Sequence, residues 1–249
     1  MKVVILTAST MKKELDGKAF SGKCVTALDL DNNKIMRFVQ NRHGAPVENP
    51  YCDVFEPLDC FDITVTERCP LLCQTENVLV NYQFAHENYL GKYEGSIQDL
   101  YERFKKIHYG DSSFMLDGSY KLMDITPFKH SLELIRVSEL IIEGKKCSFR
   151  HKNKHFRFVS ITDPQYVMPD KAEKKIGDAI LAVSIPTDNY KEMGYYKFVA
   201  SIFPIEKPWT KEEDEELLYE YRKGWQLQLM CAAHKRSEAE IKKRLSMLL

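Results

Sequence analysis

Residues 131–161 read SLELIRVSELIIEGKKCSFRHKNKHFRFVSI, and this stretch decides the fold class. It is rich in β-branched and aromatic residues, which favour strands. We therefore predict three consecutive strands here, followed by two more before residue 204. The five predicted strands of this block cover residues 131–142, 145–151, 154–161, 180–186 and 195–203.

Another strand-rich block precedes this one and occupies roughly residues 1–90. Asp31-Asn32-Asn33 lies between its second and third strands and predicts a hairpin turn, because Asn readily adopts positive φ. The predicted strands of this block are VVILT (3–7), KCVTALDL (23–30), KIMRFV (34–39) and DCFDITVTE (59–67).

Residues 96–107, SIQDLYERFKKI, have helical spacing and begin with Ser96 as a predicted N-cap. The apolar positions of this amphipathic helix are Ile97, Leu100, Tyr101, Phe104 and Ile107. Two all-β blocks, the first with an inserted helix, predict a mainly β fold with α. We expect two successive small OB-like barrels, residues 1–125 and 126–203.

The composition changes near residue 204, and the remaining chain has a helical pattern. Thr210 and Glu213 predict a capping box for a helix through Arg222, which Gly224 ends. A second helix is predicted over 225–233, and a capping box of Ser237 and Glu240 opens a third helix through Leu248. Residues 204–249 thus predict a compact three-helix unit with Trp225 buried between all three helices. Its predicted apolar core consists of Leu217, Leu218, Tyr221, Trp225, Leu229, Ala233, Ile241, Leu245 and Leu248.

The overall composition excludes several classes of protein. A hydrophobic fraction of 44% with 36 basic and 36 acidic residues is unlike a disordered or collagen-like chain. Neither a signal peptide nor a long apolar stretch is present, which predicts a soluble cytoplasmic protein without a membrane partner. The seven cysteines favour reduced thiols. A zinc site built from Cys69 and Cys73 with Cys52 and Cys60 lacks standard spacing, so neither metal nor cofactor is predicted.

Several segments of residues 1–203 resemble a prokaryotic family described as a dual OB-fold domain. This resemblance implies two OB barrels and carries no activity with it. The segments that carry it are Gly22–Leu30, Met36–Val39, Cys73–Val78, Phe156–Pro164, Leu181–Ile185 and Tyr196–Ala200.

Residues 204–249 resemble Myb/SANT-type helix-turn-helix modules. The resemblance rests on PWTKEEDEEL (208–217), on Tyr221, Gly224 and Trp225, and on RSEAEIKKRL (236–245). It implies a duplex-DNA-binding or protein-docking unit. The last helix carries a local excess of positive charge, which suits phosphate contact in a major groove. Its predicted nucleic-acid-binding residues are Arg236, Lys242, Lys243 and Arg244. Protein docking and a passive solvated face remain alternatives.

A second basic patch lies in the hairpin 145–158, KKCSFRHKNKHFRF, which contains no acidic residue. Interleaved phenylalanines and cations are typical of OB barrels that hold single strands by base stacking and phosphate attraction. The alternative is that Phe149, Phe156 and Phe158 face the barrel core and leave only a solvated rim. The predicted binding residues are Lys145, Lys146, Arg150, Lys152, Lys154 and Arg157.

Catalysis is not predicted. No phosphate-binding loop, dinucleotide fingerprint, zinc-protease motif or nucleophile elbow is present, and no spacing forces the carboxylates to converge. These carboxylates are Asp29, Asp31, Asp53, Glu56, Asp59, Asp62, Glu76 and Asp163. The residues favour a non-enzymatic nucleic-acid-binding protein, with barrels for single strands and helices for duplex DNA, and with RNA as another ligand. The alternative function is an adaptor or ligand-sensing subunit of a prokaryotic complex, such as a phage-defence assembly, whose helices dock a protein.

Overall fold

The structure is a computed structural model that describes residues 1–15, 18–81, 87–105, 113–205, 208–236 and 238–249. The side chains of 13–15, 18, 104, 105, 191 and 239 are also outside the description. The chain divides into two compact units, Met1–Ile205 and Glu206–Leu249. This division falls two residues after the boundary that the change of composition indicates.

The first OB-like part is an open, curled sheet, a half-barrel that we call the first barrel, with the strand order β6-β7-β3-β2-β1-β5-β8 and with β4 paired to β2. β1, β2 and β3 form an antiparallel meander, β7 pairs parallel with β3, and β6 pairs antiparallel with β7. β5 then pairs with β1, so the consecutive segments β5 and β6 together link β7 back to β1. The bounds are β1 Lys2–Leu15, β2 Lys18–Asp29, β3 Lys34–Val39, β4 Val47–Glu48, β5 Asp59–Asp62, β6 Val65–Arg68, β7 Asn77–Val80 and β8 Tyr89–Lys92.

The second barrel is closed, with the strand order β10-β11-β12-β15-β13. Its third and fifth strands, β12 and β15, pair in parallel, as β3 and β7 do in the first barrel. Five strands in this Greek-key order are the arrangement of OB folds. The bounds are β9 Lys121–Leu122, β10 Leu132–Glu143, β11 Lys146–His151, β12 Lys154–Ile161, β13 Glu173–Ser184, β14 Tyr195–Tyr196 and β15 Phe198–Pro204.

Most of the predicted strands are confirmed, and several are longer than the apolar pattern suggests. The predicted strand 195–203 is divided at Lys197 into β14, which pairs with β9 in a separate sheet, and β15, which belongs to the second barrel. The predicted strand 59–67 is interrupted, since Ile63 and Thr64 lie between β5 and β6. The turn before β3 contains Asn33 at φ 53°, and Asp29 accepts hydrogen bonds from the backbone of Asp31 (2.9 Å) and Asn32 (3.1 Å).

Helix α1 spans Ile97–Lys105 and begins at the predicted cap. The Ser96 hydroxyl accepts a hydrogen bond from the Asp99 amide (3.1 Å), and the Asp99 carboxylate accepts one from the Ser96 amide (2.8 Å). Leu100 of this helix is fully buried. The predicted apolar position at Ile107 and the Phe104 side chain lie outside the described residues.

The two barrels pack against each other through an apolar layer. Val4 and Leu6 of the first barrel lie in one buried cluster with Leu134 and Ile180 of the second. The Thr10 amide also donates a hydrogen bond to the Thr162 carbonyl (3.1 Å). The second core begins before residue 126 and draws on residues that a division at 125 places with the first barrel. These residues are Phe114, Met115, Leu122 and Ile125.

The second unit contains three helices: α2 Lys211–Arg222, α3 Leu227–His234 and α4 Glu238–Leu248. The predicted capping box of Thr210 and Glu213 is present. Gly224, with φ 75°, lies in the turn that follows α2. Ser237 of the second predicted capping box lies outside the described residues.

The core of this unit differs from the prediction. Trp225 is 43% exposed and precedes α3, whose N-cap is Gln226, so it is not buried between the helices. Tyr221, Leu229 and Ala233 are exposed as well. Because α3 begins at Leu227, its phase directs Met230 inward instead of Leu229. The observed core consists of Leu217, Met230, Ile241 and Leu245, with Trp209, Leu227, Cys231 and Leu248 packed against it.

Within the described part of the chain, no helix has the length and apolarity needed to cross a membrane.

Candidate nucleic-acid interface

The basic hairpin consists of β11, β12 and the turn between them, with Lys145 just before β11. All six of its predicted cations are exposed, namely Lys145, Lys146, Arg150, Lys152, Lys154 and Arg157. The Arg150 guanidinium donates a hydrogen bond to the Glu139 carboxylate (2.8 Å), and Glu143 lies opposite Lys146 in the β10–β11 register. Neighbouring acids on β10 therefore offset part of the positive charge. The basic hairpin keeps an excess of cations on its outer surface.

The three phenylalanines of this hairpin do not all face the same way. Phe149 and Phe156 are fully buried in the barrel, and their rings stack with centroids 5.2 Å apart. For these two, the alternative of a core position is confirmed, and for Phe158 it is wrong. Phe158 is 58% exposed, and the Lys146 ammonium lies 5.8 Å from its ring centroid.

A β-bulge explains the outward position of Phe158. Between the register pairs Phe149–Phe156 and Cys147–Val159, β12 has one residue more than β11. Without that extra residue, alternation from Phe156 would turn Phe158 inward. Phe158 itself has φ 59°, a left-handed conformation that costs a bulky residue about 1–2 kcal/mol. The bulge thus places an aromatic ring outside, on the outer face of the second and third strands of the barrel.

The two histidines of the hairpin have different environments. His151 is buried, and its Nδ1 lies 2.9 Å from the Arg136 carbonyl, to which it donates when protonated. Burial lowers the pKa of His151 below its usual 6.5, against the opposing effect of that hydrogen bond. His155 is exposed and accepts a hydrogen bond from the Arg157 guanidinium (3.4 Å).

Two of the four cations predicted as DNA contacts on the last helix are engaged inside the second unit. Arg236 is only 6% exposed, and its guanidinium contacts Glu213 at 3.0 Å, so its assignment as a nucleic-acid-binding residue is wrong. Arg244 is half-buried, and its Nε donates to Asp214 at 2.7 Å. These partly buried carboxylates hold the guanidiniums more strongly than solvent does. Lys242 and Lys243 are exposed, as predicted, and the Lys242 ammonium lies 3.4 Å from Glu238.

The carboxylates of unit 1 are spread over several places, and two of them, Glu56 and Asp59, lie near each other. Glu56 and Asp59 both pair with Lys92, at 3.4 and 2.7 Å. Asp163 accepts hydrogen bonds from the backbone of Ile202 (2.9 Å) and Gln165 (3.1 Å), so its carboxylate is held by the backbone. No group of three or more His, Cys, Asp or Glu side chains suited to a metal ion occurs among the described residues. The seven cysteines are all unbridged.

A cleft of about 640 Å³ lies between the two barrels, and sequence analysis did not identify it. The first barrel contributes the end of β1 and the middle of β2 and β3. The second barrel contributes the end of β13, the segment that follows it and the start of β15. Its lining includes Lys12, Cys24, Arg37, Gln74, Asp188, Tyr190, Tyr196 and Phe198.

Arg37 forms part of this cleft and also links the barrels. Its Nη2 donates to the Ser131 hydroxyl (2.7 Å), its Nη1 to the Cys24 sulfur (2.5 Å), and its Nε lies 3.8 Å from Glu76. The Glu76 carboxylate accepts a hydrogen bond from the Ser131 amide (3.1 Å). Arg37 is only 4% exposed, so its guanidinium is held in place by these partners.

A signal for the cleft was present in the sequence. Arg37 is a charged residue inside the apolar strand KIMRFV, and such a residue is buried only with partners. The segments that resemble the dual OB family also contain Cys24, Gln74, Tyr196 and Phe198. These segments are far apart along the chain, so only the fold brings them together.

A family model described as the dual OB-containing domain matches residues 1–202. No curated protein and no solved structure matches the chain.

Proposed function

The chain belongs to the dual OB-containing domain family, and we propose that it is a non-enzymatic nucleic-acid-binding protein. Its second barrel holds single-stranded nucleic acid on the outer face of β11 and β12. The observation that carries this proposal is the exposed ring of Phe158, set among the cations of the basic hairpin. The second and third strands of OB barrels are a frequent site for oligonucleotides.

The chemistry of the basic hairpin supports this proposal. A base stacked on an aromatic ring gains about 1–3 kcal/mol, and every base has such a face. The Lys and Arg side chains around Phe158 attract the phosphates and displace their counterions. Since the whole chain is formally neutral, this attraction is a local property of the hairpin.

The backbone at Phe158 also supports it. A left-handed bulky residue in a bulge is strained, and such strain persists where the surrounding structure holds it, often at binding sites. The conformation of the bulge keeps the large apolar side chain of Phe158 in contact with water. A stacked base would cover that ring.

Fluorescence anisotropy with labelled single-stranded DNA, single-stranded RNA and duplex DNA tests the proposal. We expect Phe158→Ala to weaken single-strand binding about tenfold or more, in line with the loss of one stacked base. Lys146→Ala should lower the log–log salt slope by about 1. The exposed residues Lys34 and Tyr219 provide matched controls, and Lys34→Ala and Tyr219→Ala should leave single-strand binding unchanged. Equal affinity of Phe158→Ala and wild type would overturn the proposed interface.

For the second unit, we propose a Myb/SANT-like module that contacts duplex DNA through Lys242 and Lys243. Both side chains are exposed on α4. Arg236 and Arg244 hold the unit together instead of contacting phosphate. This leaves fewer cations for DNA than the sequence pattern indicates.

A second candidate function for this unit is protein docking. Large aromatic and aliphatic side chains are exposed on and between α2 and α3, namely Tyr219, Tyr221, Trp225 and Leu229. Exposed Trp and Tyr are typical of protein interfaces. A salt titration separates the two functions, because DNA affinity falls steeply with salt and affinity for a protein partner at this apolar surface falls little. Duplex binding that Lys242→Ala with Lys243→Ala does not change would favour docking.

A further inference from the structure

We propose that the cleft between the two barrels binds a free mononucleotide, with its base against Tyr190 and Tyr196 and its phosphate at Lys12. This inference goes beyond the proposed single-strand interface and does not depend on it, since the cleft and the basic hairpin share no residues. It gives the protein a small-molecule site in addition to a nucleic-acid surface.

The size and position of the cleft fit such a ligand. Its volume of about 640 Å³ lies within the range of about 300–1,000 Å³ typical of sites for small organic molecules. The first barrel lines it with the end of β1 and with one residue each of β2 and β3, Cys24 and Arg37, and the face of the second and third strands is a common ligand site of OB folds. The second barrel forms the opposite wall, so a bound molecule would contact both barrels.

The wall from the second barrel is aromatic. The rings of Tyr190 and Tyr196 have centroids 5.9 Å apart at an angle of 81°, which makes an aromatic corner at the mouth of the cleft. Tyr190 is more than half exposed, and Phe198 of the same wall is half-buried. Such rings offer faces and edges on which a planar heterocycle packs. Aliphatic ligands do not require this arrangement.

The charges of the cleft favour an anion at its rim. Among the side chains that the structure describes, the charged ones that line the cleft are Lys12, Arg37 and Asp188. Arg37 already faces Glu76, whereas Lys12 is exposed at the opening. A phosphate therefore lies at Lys12, and the Asp188 carboxylate accepts hydrogen bonds from ribose hydroxyls or from an exocyclic amine.

The floor of the cleft supplies polar groups for the edges of a base. Gln74 is buried there, and its amide nitrogen lies 3.5 Å from the Ile185 carbonyl. The Nε of buried Arg37 has no hydrogen-bond partner among the described residues. A buried donor in this state is usually satisfied by a water or a ligand. An apolar molecule would leave the Arg37 Nε without a hydrogen-bond partner.

Isothermal titration calorimetry on the full-length chain tests the proposal with AMP, adenosine and ribose 5-phosphate. The first ligand carries ring and phosphate, and the other two carry one each. We expect AMP to bind, and we expect the affinity for adenosine and for ribose 5-phosphate to be at least about tenfold lower than that for AMP. Tyr190→Ser and Lys12→Ala should each weaken AMP binding about tenfold, in line with the loss of one ring contact or one charge contact. Binding of ribose 5-phosphate as tight as that of AMP, or no binding of AMP, would overturn the proposal.

Controls separate this site from the basic hairpin. Tyr219→Ser and Lys34→Ala alter an exposed tyrosine and an exposed lysine that do not line the cleft, and should leave AMP affinity unchanged. Phe158→Ala should also leave it unchanged, so that failure of one proposal does not imply failure of the other. A single-stranded oligonucleotide that displaces AMP in wild type would assign the cleft to a nucleotide of a strand and overturn the free-ligand assignment.

Discussion

The Arg236 guanidinium lies over the indole ring of Trp209, 4.0 Å from its centroid. The same guanidinium donates hydrogen bonds to the Pro208 carbonyl (2.9 Å) and to Glu213, which also caps α2. The segment before α2 is thereby joined to the turn before α4. This cation stabilises the second unit from within. Its removal should therefore lower the free energy of unfolding more than the removal of surface lysines does.

Arg236→Ala is expected to destabilise the second unit by about 3 kcal/mol, because it leaves Glu213 without its buried partner. Lys242→Ala with Lys243→Ala should change its stability by no more than about 0.5 kcal/mol. Chemical denaturation followed by tryptophan fluorescence measures both, since Trp209 and Trp225 both lie in this unit. Equal stability of the Arg236 variant and the double lysine variant would contradict the internal role of Arg236.

Replacing each of the two tryptophans with alanine should have different effects on the stability of the second unit. Trp209→Ala should cost about 3 kcal/mol, because this ring packs against the core and under Arg236. Trp225→Ala should change stability by about 0.5 kcal/mol or less, since the ring is largely in solvent. Limited proteolysis with mass spectrometry reports the stability of residues 206–249 within the full-length chain. Faster cleavage in the Trp225 variant than in the Trp209 variant would be inconsistent with this packing.

Lys197 and Asp117 form an asymmetric pair. The Lys197 ammonium is fully buried and donates to Asp117 (2.6 Å) and to the Ser119 carbonyl (2.8 Å), whereas Asp117 is partly in solvent. Burial lowers the pKa of Lys197, and Asp117 opposes this effect. Asp117→Ala should therefore destabilise the protein by about 3 kcal/mol, because the buried Lys197 ammonium keeps the Ser119 carbonyl but loses its charged partner. Lys197→Met should cost about 1 kcal/mol or less. Thermal melting compares them, and the reverse order of stabilities would refute this account.

His151 should make stability depend on pH. Its pKa is lowered by burial in the folded chain, so just below its usual 6.5 the unfolded chain binds more protons than the folded chain. Acidification through that window therefore favours unfolding. His151→Asn keeps a donor for the Arg136 carbonyl and does not titrate, so its stability should fall less than that of wild type between about pH 7.5 and about pH 5.5. Urea denaturation at a series of pH values measures both proteins. If the free energies of unfolding of wild type and His151→Asn change in parallel with pH, His151 does not contribute to the pH dependence.

The strands were predictable because the alternation of side chains is a local property. The segment 34–39 was predicted as a strand and is one with the same bounds, and Phe149 and Phe156 face the core as alternation requires. Phe158 departs from that alternation because a bulge adds one residue to β12. Trp225 was misplaced because the start of α3 at Leu227 sets the phase of the helix.

The sequence by itself determined the two all-β blocks, the three C-terminal helices and the six exposed cations of the basic hairpin, because each depends on neighbours a few residues away. Tertiary structure alone decided the outward position of Phe158, the burial of Arg236 and the meeting of Lys12, Arg37 and Tyr190 at one cleft. The position of Phe158 depends on a register shift between two strands, and the burial of Arg236 depends on its contacts with Pro208 and Glu213 in the helical unit. The cleft depends on residues more than a hundred positions apart. A local pattern of hydrophobicity or charge does not encode these outcomes, because each arises only when strands or helices pack together.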